Sequence, residues 1–261
     1  MTSLLTHLEC ARCGATHDAS LLHQRCDCGG TLLVRYRLSP VPLDVVRSHP
    51  AGMWRFGPLL PVLGPPLQLG EPATPLLHAP RLSERLGVEV WVKDEGLLPG
   101  GTFKARGAAV GMSRAVELGV KSIVMPSAGN AGGAWALYAA RAGIELTVVV
   151  AASAPEANKK EVRAAGADLV EVEGTIADAG RRAAKIAEET SAFYAATFSE
   201  PYRLEGKKTA WLEVFESLGG GDSMAFPETI VLPVGGGVAA IAAAKAAAEA
   251  LALGWATGSP P

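Results

Sequence analysis

From residue 88 onward the chain alternates short apolar runs with longer helix-like stretches, and few folds accept that rhythm. The apolar runs, over residues 88–92, 122–125, 146–150, 168–172, 193–196 and 229–234, read as strands. Residues 102–118, 131–142, 155–165, 175–189, 207–218 and 239–253 read as helices. Strands alternating with helices of this length predict an α/β fold, a parallel sheet with helices on both faces. Gly119, Gly143 and Gly166 each follow a predicted helix, where a left-handed residue turns the chain toward the next strand.

With 261 residues, 49% of them apolar, the chain can bury a substantial core in one large or two small domains. The net charge of -2, with no basic face or polybasic run, argues against a nucleic-acid or membrane-surface role. No export signal and no apolar run long enough to span a bilayer is visible, so the expected setting is the cytosol.

The four cysteines lie close together near the start, at Cys10, Cys13, Cys26 and Cys28. In a cytosolic setting such clustering predicts metal before disulfide. Cys10-Ala-Arg-Cys13-Gly forms one knuckle, Cys26-Asp-Cys28-Gly-Gly the second, and residues 31–37 then alternate like a short strand. Together they read as a zinc ribbon whose four thiolates leave no open position for catalysis. The tighter Cys-x-Cys pair is a departure; His17 and His23 are alternative ligands, and a ribbon that has lost its metal is the competing reading. A Pro-rich connector follows over residues 39–66, with one apolar patch at Met53-Trp54-Arg55-Phe56.

The chemistry concentrates in three motifs. Lys93-Asp-Glu-Gly-Leu-Leu-Pro-Gly-Gly-Thr-Phe-Lys104-Ala-Arg106-Gly107 sets one lysine at a loop-to-helix junction beside Phe103. An amine that condenses with an aldehyde must lose its proton and be held still, and burial at such a junction supplies both. Ser127-Ala128-Gly129-Asn130 follows a strand and opens a helix, so its backbone amides can take an anionic group. Pro233-Val-Gly235-Gly236-Gly237-Val238 also joins strand to helix, and successive glycines let several N–H groups approach a phosphate. Each has a plainer reading, in turn a solvated helix lysine, a helix cap and a tight turn. Arg106 reads as a structural anchor, an anion ligand or an exposed helix residue, and residues 201–209 as a charged helix start without a site role.

In this order the motifs resemble the fold type II pyridoxal-phosphate enzymes, most closely the threonine synthase branch. Leu69-Gly-Glu-Pro-Ala-Thr-Pro-Leu76 resembles that branch's entry motif, with Pro72 in place of a glycine, and a leading ribbon is common there. The resemblance implies two parallel-sheet α/β subdomains, the second incomplete, preceded by a zinc-ribbon module. It sets the ribbon over residues 1–38 and the catalytic domain over 39–261, with a small subdomain at about 100–200. It implies that Lys104 forms the imine with pyridoxal 5'-phosphate and then shuttles protons. Asn130 would bond the cofactor's phenolic oxygen, Gly235, Gly236 and Gly237 would hold its phosphate, and Ser127, Ala128 and Gly129 would bind the amino-acid substrate.

The implied reaction converts O-phospho-L-homoserine and water to L-threonine and phosphate. A threonine or serine dehydratase-type lyase is the alternative, as is an inactive fragment acting only as a binding module. Ala105 stands where the family carries Asp, and Val238 or Ala239 where it carries a further glycine. The family also continues past residue 253, so a C-terminally incomplete copy is expected, dependent on a partner chain such as a second copy in a homodimer.

Overall fold

The computed structural model describes residues 2–221 and 223–260. The N-terminal segment forms β1 (Leu5–Cys10), β2 (Thr16–His17) and β3 (Leu32–Tyr36), an antiparallel sheet in the order β2-β1-β3. The connector holds α1 (Leu43–Arg47) and a 3-10 segment, Met53–Leu59, that buries Met53 and Phe56. Next come β4 (Leu76–His78), α2 (Pro80–Leu86) and β5 (Trp91–Lys93), with β4 and β5 paired antiparallel.

The parallel sheet is built by α3 (Lys104–Glu117), β6 (Ser122–Pro126), α4 (Asn130–Ala142), β7 (Glu145–Ala151), α5 (Glu156–Ala164), β8 (Asp168–Val172), α6 (Ile176–Thr190) and β9 (Phe193–Tyr194). Its strand order is β8-β7-β6-β9, all parallel. Alternate residues of a strand face opposite ways, which explains the continuous apolar run in β6. Ile123 and Met125 face the core shared by α3 and α4, while Val124 packs with Ala179, Ala183 and Ala187 of α6. A reciprocal capping box between Thr175 and Asp178 starts α6. The remaining helices, α7 (Arg203–Leu218) and α8 (Val238–Ala252), pack on each other, and α7 also packs on α3.

The α/β class and the parallel sheet match the sequence reading, and three details differ. Residues 229–234 form no strand: Val231 is 93% and Val234 65% exposed, with no neighbouring strand among the described residues to pair with them. Periodicity reports a side-chain pattern, whereas a strand also needs a hydrogen-bonding neighbour. Residues 88–92 shrink to β5, which joins the antiparallel pair instead of the parallel sheet. Helix α7 begins at Arg203, four residues earlier than its charge pattern indicates, because Glu200 accepts the Tyr202 and Arg203 amides and so closes its first turn.

The ribbon is not a separate bead. Leu8, Leu32 and Val34 enter the main core, Tyr36 donates to Glu205, and Lys245 of α8 donates to the Val34 carbonyl. Arg25 reaches Ser199, and Arg114 of α3 reaches the Ala19 carbonyl.

Candidate functional site

Helix α3 buries most of its length, and its small residues let neighbouring helices come close. At Gly107 a Cβ would lie 2.8 Å from the Arg203 carbonyl oxygen, and at Gly206 it would overlap the Arg106 carbonyl. The backbones of α3 and α7 therefore touch at a glycine pair, and this contact fixes where the side chains at their N-terminal ends point.

Those ends meet in a cavity of about 130 Å³. Lys104 enters from α3, Arg203 and Lys207 from α7, and Gly235, Gly236 and Gly237 from the loop that opens α8. The structure thus brings the predicted lysine and the predicted glycine loop together across roughly 130 residues of sequence, a span set by their numbering. Gly237 has φ +77°, and the space a Cβ would take at Gly235 and Gly237 is open. No side chain caps α8, so its first-turn amides are available to an anion.

Lys104 is half-buried with Nζ 3.8 Å from the centre of the Phe103 ring. Burial, followed by the Arg203 guanidinium, pushes it below the ordinary lysine range, which favours the neutral amine. Arg203 is fixed by Glu200 at 2.8 Å and by the Ala195 carbonyl at 2.5 Å. Thr197 also lines the cavity, and next to it Phe198 has φ +61°, an uncommon conformation for a bulky residue.

The other predicted residues, Ser127 to Asn130, are not among those lining the cavity. Ala131 lines the cavity; Asn130, one residue earlier, is exposed and accepts from Asn158 at 2.9 Å. Ser127 is buried, and its hydroxyl serves its own loop, accepting from Gly132 at 2.9 Å and donating to the Gly129 carbonyl at 2.8 Å. Ala128 is exposed and Gly129 half-exposed on that loop. Ala105 is fully buried.

Arg203 and Lys207 escaped the sequence reading because a run of charges at a helix start is ordinarily solvated. Their spacing of i and i+4 was the available signal, since it sets both cations on one helical face. Arg106 is the anchor among its three readings. It is fully buried, donates to Glu95 at 2.7 and 2.8 Å and to Glu213 at 2.7 and 2.8 Å, and also bonds Thr74 and Thr209. Thr74 belongs to the entry motif and Glu95 to the Lys93-Asp-Glu-Gly run, so these motifs converge on one buried network. Burial alone would push Glu213 up, but Arg106 and Lys93 hold its carboxyl below the usual range.

In the ribbon, the Sγ atoms of Cys10, Cys13, Cys26 and Cys28 all lie within 4.8 Å of one another, in a cluster that excludes both histidines. Cys10 and Cys28 are 3.5 Å apart, Cys13 and Cys26 3.7 Å. Thiolates around a tetrahedral zinc sit about 3.8 Å apart, given a Zn–S bond of about 2.3 Å, so this donor set fits that ion. A Cβ at Gly30 would overlap the Cys10 sulfur. His17 and His23 stack edge to face at 5.1 Å instead.

Residues 67–258 match the family model described as "Pyridoxal-phosphate dependent enzyme". The chain belongs to that family, whose cofactor is pyridoxal phosphate. It is 34% identical to threonine synthase of Methanosarcina acetivorans over 234 residues, 88% of this chain and 56% of that protein. It is also 34% identical to threonine synthase of Methanocaldococcus jannaschii, over 89% of this chain and 58% of the relative. The chain thus spans somewhat over half the length of these relatives. Among solved structures, maize serine racemase superposes with a TM-score of 0.59 at 28% identity, over 67% of this chain and 51% of that one. The L-serine ammonia-lyase of Rhizomucor miehei does so with 0.60 at 26% identity, over 71% and 57%. No described helix is long and apolar enough to cross a membrane.

Proposed function

We propose that this chain carries the cofactor and substrate site of a threonine synthase, which converts O-phospho-L-homoserine and water to L-threonine and phosphate. One observation carries the reading: the cavity that holds Lys104 and the glycine loop is lined by three basic side chains and, among the described residues, no carboxylate. That lining suits a substrate and a cofactor that both bear phosphate, and it favours this reaction over a dehydratase acting on an uncharged hydroxyl.

The residues present fit pyridoxal phosphate, with an amine of lowered basicity opposite a loop and helix start open to an anion. When bound, the cofactor supplies an electron sink for charge developing next to the substrate amine. Lys104 holds the aldehyde end and moves protons at its Nζ. Gly235, Gly236 and Gly237 hold the phosphate end, Asn130 meets the ring oxygen, and the Ser127–Gly129 backbone orients the substrate carboxylate. The ribbon over residues 1–38, the body over 39–261 with its small subdomain at about 100–200, a homodimer and a cytosolic setting belong to the same proposal.

The first experiment is a visible absorption spectrum of the purified chain with added pyridoxal phosphate, before and after borohydride. A band present in the wild type, trapped by borohydride and missing in Lys104→Ala, is the expected result. A spectrum that Lys104→Ala leaves unchanged overturns the assignment and leaves the binding-module reading. Phosphate release from O-phospho-L-homoserine, set against ammonia release from L-threonine, then separates synthase from dehydratase.

The ribbon is assigned a structural zinc held by Cys10, Cys13, Cys26 and Cys28. Metal analysis of the purified protein should return close to one zinc per chain, reduced to background in Cys13→Ser with a lowered melting temperature. A metal-free wild type that melts at the same temperature as the variant would remove the assignment.

A further inference from the structure

Lys207 lies in the first turns of α7 and is 7% exposed. Its amine reaches the cavity wall, yet among the described residues no carboxylate, hydroxyl or carbonyl bonds it. Lys104, which shares the cavity, has among the described residues only the Phe103 ring beside its amine, whereas the inward-turned lysines outside the cavity are paired. Lys159 is held by Glu156 and Glu171 at 2.8 Å, and Lys208 by Glu205 and Glu249 at 2.6 Å. Lys93 meets Glu213 at 2.7 Å, and Lys245 meets Glu205 at 2.5 Å. A buried amine left without a partner beside a cavity is costly unless something arrives to pair with it.

Its surroundings are cationic. From α3 comes Lys104, which shares the Phe103 ring with it: the two Nζ atoms lie 3.8 and 5.5 Å from the ring centre. From α7 comes Arg203, and the one acid near enough to oppose them, Glu200, is committed to Arg203 and to two backbone amides. The loop and first turn of α8, residues 232–240, contribute no charged side chain to the lining among the described residues. An anion in this cavity meets glycine amides on one wall and three basic side chains, the permanently charged Arg203 among them, on the other.

We propose that Lys207 is a proton-linked receptor for a phosphate-type dianion, neutral in the anion-free cavity and protonated when the dianion enters. The proton comes from solvent, the amine becomes an ammonium, and no bond to the anion is made or broken. Burial pushes this amine down to about 7, helped by Arg203 and Lys104 and opposed only by Glu200, so its charge can respond near neutral pH. The inference rests on the reading of the cavity as a phosphate site and does not depend on turnover.

Sulfate is the probe, because it stays doubly charged while phosphate itself titrates near pH 7. Titration calorimetry of the full chain with sodium sulfate at pH 7.5, in two buffers of different ionisation enthalpy, counts the protons taken up. Net uptake of a fraction of a proton per sulfate is expected, since an amine held down at about 7 is largely neutral at this pH. Lys207→Arg should keep binding with the uptake cut to whatever share Lys104 contributes, since its guanidinium is always charged. Lys207→Met should bind at least tenfold more weakly, with the uptake likewise cut to the Lys104 share. No sulfate binding by the wild type, binding without uptake, or the wild-type uptake persisting in Lys207→Arg overturns the proposal. The wild-type result stands even where a variant fails to fold.

Repeating the titration with pyridoxal phosphate loaded assigns the source. Retained sulfate binding means that Lys207 receives the substrate's phosphate, and lost binding means that it receives the cofactor's. A Lys104-dependent visible band without sulfate-linked uptake defeats this inference alone. Uptake without that band defeats the Lys104 assignment and leaves Lys207 standing.

Discussion

Arg106→Met is expected to lower the melting temperature on the order of 10 °C, read by thermal unfolding followed by circular dichroism. The guanidinium is fully buried and joins Glu95, Thr74 and, from α7, Thr209 and Glu213, which come from three separate stretches of the chain. Removing it leaves Glu213 buried with Lys93 as its only remaining cation among the described residues, while the two threonine hydroxyls keep their own bonds to Glu95 and to the Gly206 carbonyl. Breaking a buried pair from one side costs about 3–5 kcal/mol, because the other charge stays behind uncompensated. That is a large share of the ~5–15 kcal/mol that holds a typical protein together. Lys in place of Arg should rescue little, since one ammonium cannot reproduce a planar fork that serves two carboxylates. Glu95→Gln, which keeps a hydrogen-bond acceptor and removes a partly exposed charge, should cost much less. An Arg106→Met protein that melts within 2 °C or so of the wild type, a shift of under about 1 kcal/mol, would show that the network is not the anchor described.

Gly206→Ala should be comparably damaging, for a steric reason. Alanine is the better helix former by about 1 kcal/mol, so on propensity alone the change should stabilise α7. The contact decides otherwise. The new methyl would overlap the carbonyl carbon and oxygen of Arg106, which are backbone atoms inside another helix and cannot rotate aside. Overpacking a core that can adjust costs about 1–3 kcal/mol, and a backbone overlap leaves α3 and α7 no course except to separate. Separation also moves Lys104 away from Arg203 and Lys207, so binding of pyridoxal phosphate should fall together with stability. Gly220→Ala is the matched control, because nothing lies within 4 Å of a Cβ there. Equal melting temperatures and equal cofactor binding for the two variants would remove the glycine contact as the positioning element.

How far the sequence revealed the molecule depended on whether a signal was local. The strands and helices from 102 to 190 are legible because period 2 and period 3.6 are written into neighbouring residues, with Gly119, Gly143 and Gly166 as punctuation; all three have positive φ. Pairing is not local, and this explains the two strand differences. Trp91–Lys93 alternates like any strand but finds β4, and residues 229–234 carry the apolar pattern without a neighbour. Lys104 and the glycine loop were legible as motifs, although nothing in their spacing along the chain says that they face each other across α7. Arg203 and Lys207 were hidden by their chemistry, since cations are read as surface until burial is known, and here residues 201–210 are buried without exception.

Helix α7 has two working sides. One carries Arg203 and Lys207 toward the cavity; the other carries Glu205 and Lys208 toward the ribbon, where Tyr36 and Lys245 close over them. The ribbon strand β3 is therefore part of the insulation around charges whose mutual attraction depends on the exclusion of water. Peel it away and the same ion pairs become surface pairs, worth a small fraction of their interior strength. A module attached in this manner cannot be gained or shed like a tag at the end of a gene. Its burial is tied, side chain by side chain, to the helix that shapes the cavity.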